Sequence, residues 1–389
     1  MNIFFVGLWG VPYTKRACDT RLLSFANIFT SKKHKVTILN RLPEIDNSEK
    51  KNENFSTDIK IIELFTRKKP KSLVGTILCR FISYPKELFL LYNLNNRDHI
   101  DILHLYSGHY FEFVHYYVIS KIIKAKIVYQ YVEVRSEIER ESLYHKINGA
   151  LCDKFGSKLF DGVISISNYI DNLVAFHSPL IPQIKVPPIC DTKYFDSIKV
   201  PTVSVPYILF CGSAYYHEVI NLIINSYKLS KATKDFKLIL VLSGSEKAMK
   251  NNLVNAKDNI EILSGLLYDD LIRYYLGASA LLIPLRNTIQ DKARFPNKIC
   301  EYTACKGLII TNNVGEIPYY FTDGKDALIA SDFSSEALIE KLNLITDMTS
   351  EEIYRIKDKS HQLCYSFFDS SVYSTDLDLF LKKVVKDKN

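Results

Sequence analysis

The stretch Phe295-Pro296-Asn297-Lys298-Ile299-Cys300-Glu301-Tyr302-Thr303-Ala304-Cys305-Lys306-Gly307, followed by the apolar run Leu308-Ile309-Ile310-Thr311, decides how this chain is read. Pro296 suits a first helical position and Asn297 is a candidate cap. The spacing therefore predicts a helix whose first N–H groups lack intrahelical partners and point outward. Lys298 adds a cation there, and Glu301, three residues on, falls on the same face about 5 Å along the axis. An N–H array with the helix dipole suits a pyrophosphate, and a carboxylate accepts both hydroxyls of a vicinal diol. Lys292 and Arg294 add positive charge just upstream. An ordinary amphipathic helix with a surface Lys–Glu pair fits the same letters.

Outward from that stretch the chain alternates between two periods. Ahead of it, strands are expected at 208–211, 237–242, 260–263 and 280–283, with helices running from 212 to about 230 and over 271–276. Gly212-Ser213 and Ser243-Gly244 fall at strand carboxyl ends, where parallel sheets bind ligands and glycine lets backbone approach closely. The first half repeats the plan: an apolar run at 2–6, a turn at 7–13 containing Gly7, Gly10 and Pro12, and helical spacing over 20–31. Strands then follow at 36–39, 59–64, 102–105, 127–131 and 162–166. Such alternation implies a parallel sheet covered on both faces. Pro187, Pro188, Pro201 and Pro206 bracket a linker, and the tail from 367 to 386 has helical spacing.

At 389 residues the chain suits two domains, and 47% hydrophobic with 24% charged residues is a globular composition. The polar patch at 46–54 is expected to be an exposed loop. The net charge of +7 is unevenly placed: residues 1–200 hold 28 Lys+Arg against 20 Asp+Glu, and the remainder holds 22 against 23. A basic half meets nucleic acid or an anionic membrane. The membrane is favoured, because Arg67-Lys68-Lys69-Pro70-Lys71 directly precedes an amphipathic stretch over 73–94; a solvated charge run ahead of a core helix fits the same residues. The basic excess is not interleaved with stacking aromatics, which argues against nucleic acid. Eight cysteines lack the spacing of a disulfide frame or zinc site and are expected to be reduced thiols of a cytoplasmic protein. The opening Met1-Asn2-Ile3-Phe4-Phe5-Val6-Gly7 has no basic n-region and is expected to be a strand and turn. No uncharged run approaches a membrane span, so any membrane contact is peripheral.

Pro296, Lys298, Glu301, Tyr302, Ala304 and Gly307, with the apolar strand and Val314-Gly315-Glu316 behind them, resemble the C-terminal signature of the family 4 retaining glycosyltransferases, group 1 type, as in bacterial polysaccharide and lipopolysaccharide biosynthesis. Phe160-Asp161-Gly162-Val163-Ile164-Ser165-Ile166-Ser167 and the segment 187–195 extend the resemblance over most of the chain. It implies an α/β protein of GT-B fold, two Rossmann-like domains with parallel sheets facing an interdomain cleft. Residues 1–190 would form the acceptor-binding domain, 191–365 the nucleotide-sugar-binding domain, and 366–389 a helix crossing back to the first.

By the same resemblance the donor is a nucleotide sugar, the acceptor a saccharide or lipid-linked molecule, and no metal is required. Gly212 and Ser213 would lie near the phosphates, Lys298 and Arg294 on the charge, with Lys292 and Asn297 beside them, and Glu301 on the ribose. The reaction is displacement at an acetal carbon, with negative charge growing on the departing diphosphate, so fixed donors and cations there lower the barrier. Two positions depart from the family pattern. Ala293 stands where a second Glu, eight residues before Glu301, is usual, and the turn Ala214-Tyr215-Tyr216-His217-Glu218-Val219 lacks the usual Arg or Lys. In the first domain Glu133 matches an expected acid and His104 flanks a strand end, so both are candidate catalytic groups, while Gly10 is a candidate for backbone approach to phosphate or acceptor. A Glu133–Arg135 or Glu133–Arg140 ion pair is a comparably good reading of the acid, and a lone histidine is more often structural than catalytic. Two other functions fit the same fold: a nucleotide-sugar-binding subunit with weakened turnover, and a sugar-nucleotide epimerase.

Overall fold

The computed structural model describes residues 1–8, 17–41, 58–65, 73–138, 142–245 and 259–386. The Gly10 turn, the polar patch at 46–54 and the basic run at 67–71 lie outside them. The chain forms two compact units, one of Met1–Pro187 with Ser370–Asn389 and one of Pro188–Asp369.

The first unit holds seven parallel strands: β1 (Asn2–Leu8), β2 (Lys35–Asn40), β3 (Ile59–Glu63), β4 (Ile102–Leu105), β5 (Lys126–Tyr131), β6 (Gly162–Ser165) and β7 (Gln183–Lys185). Their order in the sheet is β3-β2-β1-β4-β5-β6-β7. β1 is buried along its whole length, as a central parallel strand covered on both faces must be. Right-handed crossovers place helix Ala17–Ser31 on one face and helices Leu73–Arg97, Tyr110–Ile123, Leu143–Phe155 and Asn168–His177 side by side on the other. The tail helix Ser374–Lys386 packs against Ala17–Ser31, where Asp378 Oδ1 meets His34 Nε2 at 2.9 Å. Gly162 admits it closely: a Cβ there would stand 2.7 Å from Val384 Cγ2.

The second unit holds six parallel strands: β8 (Tyr207–Ser213), β9 (Lys237–Ser243), β10 (Ile260–Leu263), β11 (Ala280–Leu282), β12 (Ile309–Asn312) and β13 (Leu328–Ala330). The order is β10-β9-β8-β11-β12-β13, so the chain's direction of travel reverses between β8 and β11. That switch point opens a crevice at the strands' carboxyl ends. Below it, Ile208, Phe210, Leu238, Leu240, Leu282 and Ile310 meet Ile220, Ile223 and Ile224 from helix His217–Leu229 and Leu338 and Leu342 from helix Ser335–Asp347. Each such buried side chain contributes roughly 1.5–3 kcal/mol of transfer free energy.

Both α/β units match the expected fold class. β7 and β13, three residues each, were not anticipated from the letters. The tail helix begins at Ser374, later than expected from 367. Residues Cys364–Phe368 instead form one wide turn, held because Phe368 is buried against Phe295, Tyr320 and Phe321. Seven described cysteines are free thiols.

Candidate functional site

The loop that leaves β11 is pinned from the neighbouring strand: Asn312, ending β12, accepts from Leu285 N at 2.7 Å and donates to Leu285 O at 2.8 Å. Arg286 follows, and its buried backbone N–H and Nε donate to Asp291 Oδ2 at 2.9 and 3.0 Å, while Nη2 reaches Gln290 Oε1 at 3.0 Å. Asp291 sits fully buried in the first turn of helix Ile289–Ala293, which Thr288 caps. The same carboxylate pairs with Arg294 Nη2 at 2.8 Å. One aspartate therefore holds two guanidinium groups. Both lean on Tyr216 in the turn after β8, at 5.8 Å for Arg286 and 4.8 Å for Arg294, and Arg294 Nη1 donates to Tyr216 Oη at 2.5 Å. The turn that lacks its own Arg or Lys is thus supplied with two from the loop after β11. Arg294 Nε is buried with no hydrogen-bond partner among the described residues.

Gly315 explains why the Val314-Gly315-Glu316 turn must contain glycine. Its φ is +61°, and a Cβ would stand 3.0 Å from Lys292 O and 3.2 Å from Asp291 O. The turn backs directly onto the segment that holds the two arginines.

Helix Lys298–Ala304 is buried from Ile299 onward. Asn297 occupies the cap position, but its own backbone is already helical at φ −57° and ψ −25°, and its side chain makes no capping hydrogen bond. The capping expectation for Asn297 is corrected on that ground, since a capping side chain reaches N3 from extended backbone. Instead Cys300 Sγ donates to Asn297 O at 2.9 Å. Glu301 is 6% exposed, and its Oε1 accepts from Tyr268 Oη at 3.1 Å. Burial raises the Glu301 pKa; the charge of Lys298 and the Tyr268 bond pull it partly back. Lys298 is half-buried, its charge also acts on Cys211 in β8, and it has no ion-pair partner among the described residues. Tyr268 is stacked on Tyr194 at 5.9 Å.

Glu301, Lys298 and Arg294 are thus gathered around the carboxyl end of β8. Gly212 and Ser213 lie in that strand, but Gly212 also answers a packing need, because a Cβ there would come within 2.6 Å of the Phe210 ring. Ser213 Oγ accepts from Tyr215 N at 3.3 Å. Lys292 is exposed, and it is its carbonyl that packs on Gly315. Ala293 is fully buried. Arg286, Asp291, Tyr216 and Tyr268 were not singled out from the sequence; only the five- and three-residue steps from Arg286 to Asp291 to Arg294 carried any trace of them.

In the first unit the picture differs. His104 is fully buried, stacked on Phe5 at 4.5 Å with Phe25 and Phe29 at 5.8 and 5.7 Å, and is corrected from candidate catalytic group to core residue. Burial and the charge of Arg21 push its pKa down to about 3, so the ring is neutral, with Nε2 accepting from Gln130 Nε2 at 2.8 Å. Glu133 lies 3.6 Å from Arg135 Nη1, half-buried, which is the ion-pair reading of that acid. Nearby, at the ends of β1, β2 and β4, Arg41 joins Glu87 (2.6 Å), Glu112 (2.7 Å) and Tyr116 (2.9 Å) in a buried network. Tyr116 Oη in turn accepts from Gly7 N at 2.7 Å.

Residues 196–360, which lie wholly within the second unit, match the family model of group 1 glycosyl transferases. No curated protein matches the chain. Among solved structures, the fold is similar over 98% of both chains to sucrose-phosphate synthase of Thermosynechococcus elongatus, with TM-score 0.77 and 12% identity. A glycosyltransferase of Rickettsia africae covers 100% of this chain and 99% of its own, with TM-score 0.70 and 16% identity. HepE of Anabaena in complex with UDP-glucose covers 98% of this chain and 100% of its own, with TM-score 0.69 and 14% identity. The chain therefore has the GT-B fold, and its second unit carries the likeness to group 1 glycosyltransferases.

Proposed function

We propose that this chain is a retaining, family 4 glycosyltransferase that moves a sugar from a nucleoside-diphosphate donor to a saccharide or lipid-linked acceptor in cell-envelope polysaccharide synthesis. One observation carries the reading: a buried carboxylate, Glu301, stands beside an uncommitted ammonium, Lys298, at the switch point of the unit that matches group 1 glycosyl transferases. A buried acid with its pKa raised is stabilised by any ligand that donates hydrogen bonds to it, as ribose hydroxyls do. Lys298, Arg294 and Arg286 supply positive charge for a diphosphate, and the HepE complexes with UDP and UDP-glucose show that a relative in fold binds such a donor. In the reaction the bond from the anomeric carbon to the diphosphate breaks, its electron pair leaves on the diphosphate, and an acceptor hydroxyl oxygen bonds the carbon while its proton passes to the departing diphosphate. These cations would neutralise the leaving charge without a metal ion. The acceptor would meet the first unit, with Glu133 the acid there able to orient a hydroxyl. No described helix is long and apolar enough to cross a membrane, and we place the protein in the cytoplasm, peripheral on the inner face of the plasma membrane.

Thermal unfolding across a panel of nucleoside diphosphates and their sugars tests the donor. Ligand at 100 times Kd should add about 2.7 kcal/mol of stability. An Arg294→Ala, Lys298→Ala double variant that bound the same donor unchanged would remove the basis of the assignment. Product analysis by NMR then shows whether the new glycosidic bond keeps the donor's anomeric configuration. Ala293, in place of the usual second acid, favours one other reading, a donor-binding subunit with weakened turnover. Stabilisation by donor without transfer to any acceptor would support it.

A further inference from the structure

Three neighbouring helices of the first unit turn large apolar side chains to solvent. On Leu73–Arg97 these are Phe81 (71% exposed), Ile82, Phe89 (68%) and Tyr92; on Tyr110–Ile123 they are Phe111 (60%), Val114, Val118 and Ile122; on Leu143–Phe155 they are Leu143 (71%), Tyr144 and Ile147. Phe111, Val114, Val118 and Ile122 recur at steps of three and four, one stripe of a helix. Topology puts the three helices adjacent on one face of the sheet, and Tyr84 touches Phe111 across the first pair at 5.1 Å. A patch of this extent on a folded protein marks a contact surface.

The charges on the same helices identify what covers it. Their acids, Glu87, Glu112 and Asp153, are all buried, the first two on Arg41 and the third accepting from Tyr131 Oη, Arg135 N and Ser136 N. Every exposed charged side chain described on them is basic: Lys86, Arg97, Lys121, Lys146 and Lys154. Helices in the second unit instead mix signs, presenting exposed Glu218, Glu336, Glu340, Asp347 and Glu351 together with exposed Lys228, Arg273, Arg355 and Lys359. An apolar face set about only with cations matches the acyl boundary and phosphates of an anionic bilayer, with the lysine stems lying along apolar surface and their ammonium groups at headgroup level.

We infer that this three-helix face docks the first unit on an anionic lipid surface. The inference stands apart from the donor site and holds whether or not the chain transfers a sugar. Co-sedimentation of the full chain with vesicles of phosphatidylcholine containing one quarter phosphatidylglycerol, against pure phosphatidylcholine, tests it. Binding is expected only to the anionic vesicles and should weaken as salt rises. Phe81→Ser with Phe89→Ser, and separately Lys121→Glu with Lys146→Glu, should each lower the partition coefficient by roughly tenfold or more while leaving the unfolding midpoint intact, since all four side chains are exposed. Equal binding to both vesicle types, or unchanged binding by either folded double variant, would overturn the inference. So would a dimer in sedimentation equilibrium that the Phe81, Phe89 variant abolishes while the wild-type chain ignores vesicles, because a second copy would then be the occupant.

Discussion

Near the carboxyl ends of the two sheets, Glu87 and Glu112 of the first unit and Glu301 of the second are buried carboxylates treated in opposite ways. Glu87 and Glu112 in the first unit are both claimed by Arg41, and Tyr116 and Ser107 satisfy what remains. Burial pushes the Glu87 pKa up, but Arg41 and His115 outweigh it, so the net direction is down. Glu301 in the second unit has, among the described residues, only a tyrosine hydroxyl and the field of Lys298, and its net direction is up. A closed set of partners is scaffolding that ties strand ends to helices. An open set, with Lys298 uncommitted and Arg294 Nε unpartnered among the described residues, is on the proposed function the capacity that would meet a ligand.

The sharpest way to break this contrast is to remove the hub of the closed set. Arg41→Met strands two buried carboxylates and should cost about 3–5 kcal/mol in denaturant unfolding; a loss under 1 kcal/mol would mean that the network is no scaffold. In the open set, Lys298→Ala should leave unfolding nearly unchanged and lower kcat/KM about 100-fold, roughly 3 kcal/mol in barrier, if the ammonium faces the leaving diphosphate. Steady-state kinetics with the donor found by the thermal panel read that out. Gly315→Ala sharpens the comparison further, because it strains the backbone behind the two arginines; about 1–2 kcal/mol of destabilisation together with weaker donor binding is expected.

The smallest effect is in pH dependence, and its sign separates the two carboxylates. Glu87 holds its proton less tightly folded than unfolded, so its contribution is present above its unfolded pKa and is lost as pH falls through the folded value. Glu301 holds its proton more tightly folded, so stability declines as pH rises from its ordinary value of 4.5 through the raised folded one. Glu301→Gln should abolish that decline in unfolding curves taken across the window. A variant as pH-sensitive there as wild type would show that Glu301 ionises freely.

Much of this was legible beforehand, and the particular residues show why. Runs such as Ile260–Leu263 announce strands by composition, and helix Lys298–Ala304 with its Glu301 stood out by spacing. His104 misled because a polar residue at a strand end resembles a ligand group until three phenylalanines close over it. Tyr216 and Arg294 are 78 residues apart, so no local pattern could pair them. Asp291 was not singled out from the sequence, yet it holds both guanidinium groups, because its burial and its two partners depend on how the loop after β11 folds back.

By itself the chain's order of residues determined the periods of its strands and helices, the reversal-prone glycines and the position of one reactive-looking helix, because these depend on neighbours within a few residues. Only the tertiary structure decided which charges are spent on one another and which are left over, and which faces stay uncovered. Desolvation and Coulomb energy depend on distances between residues that the sheet, not the sequence interval, brings together.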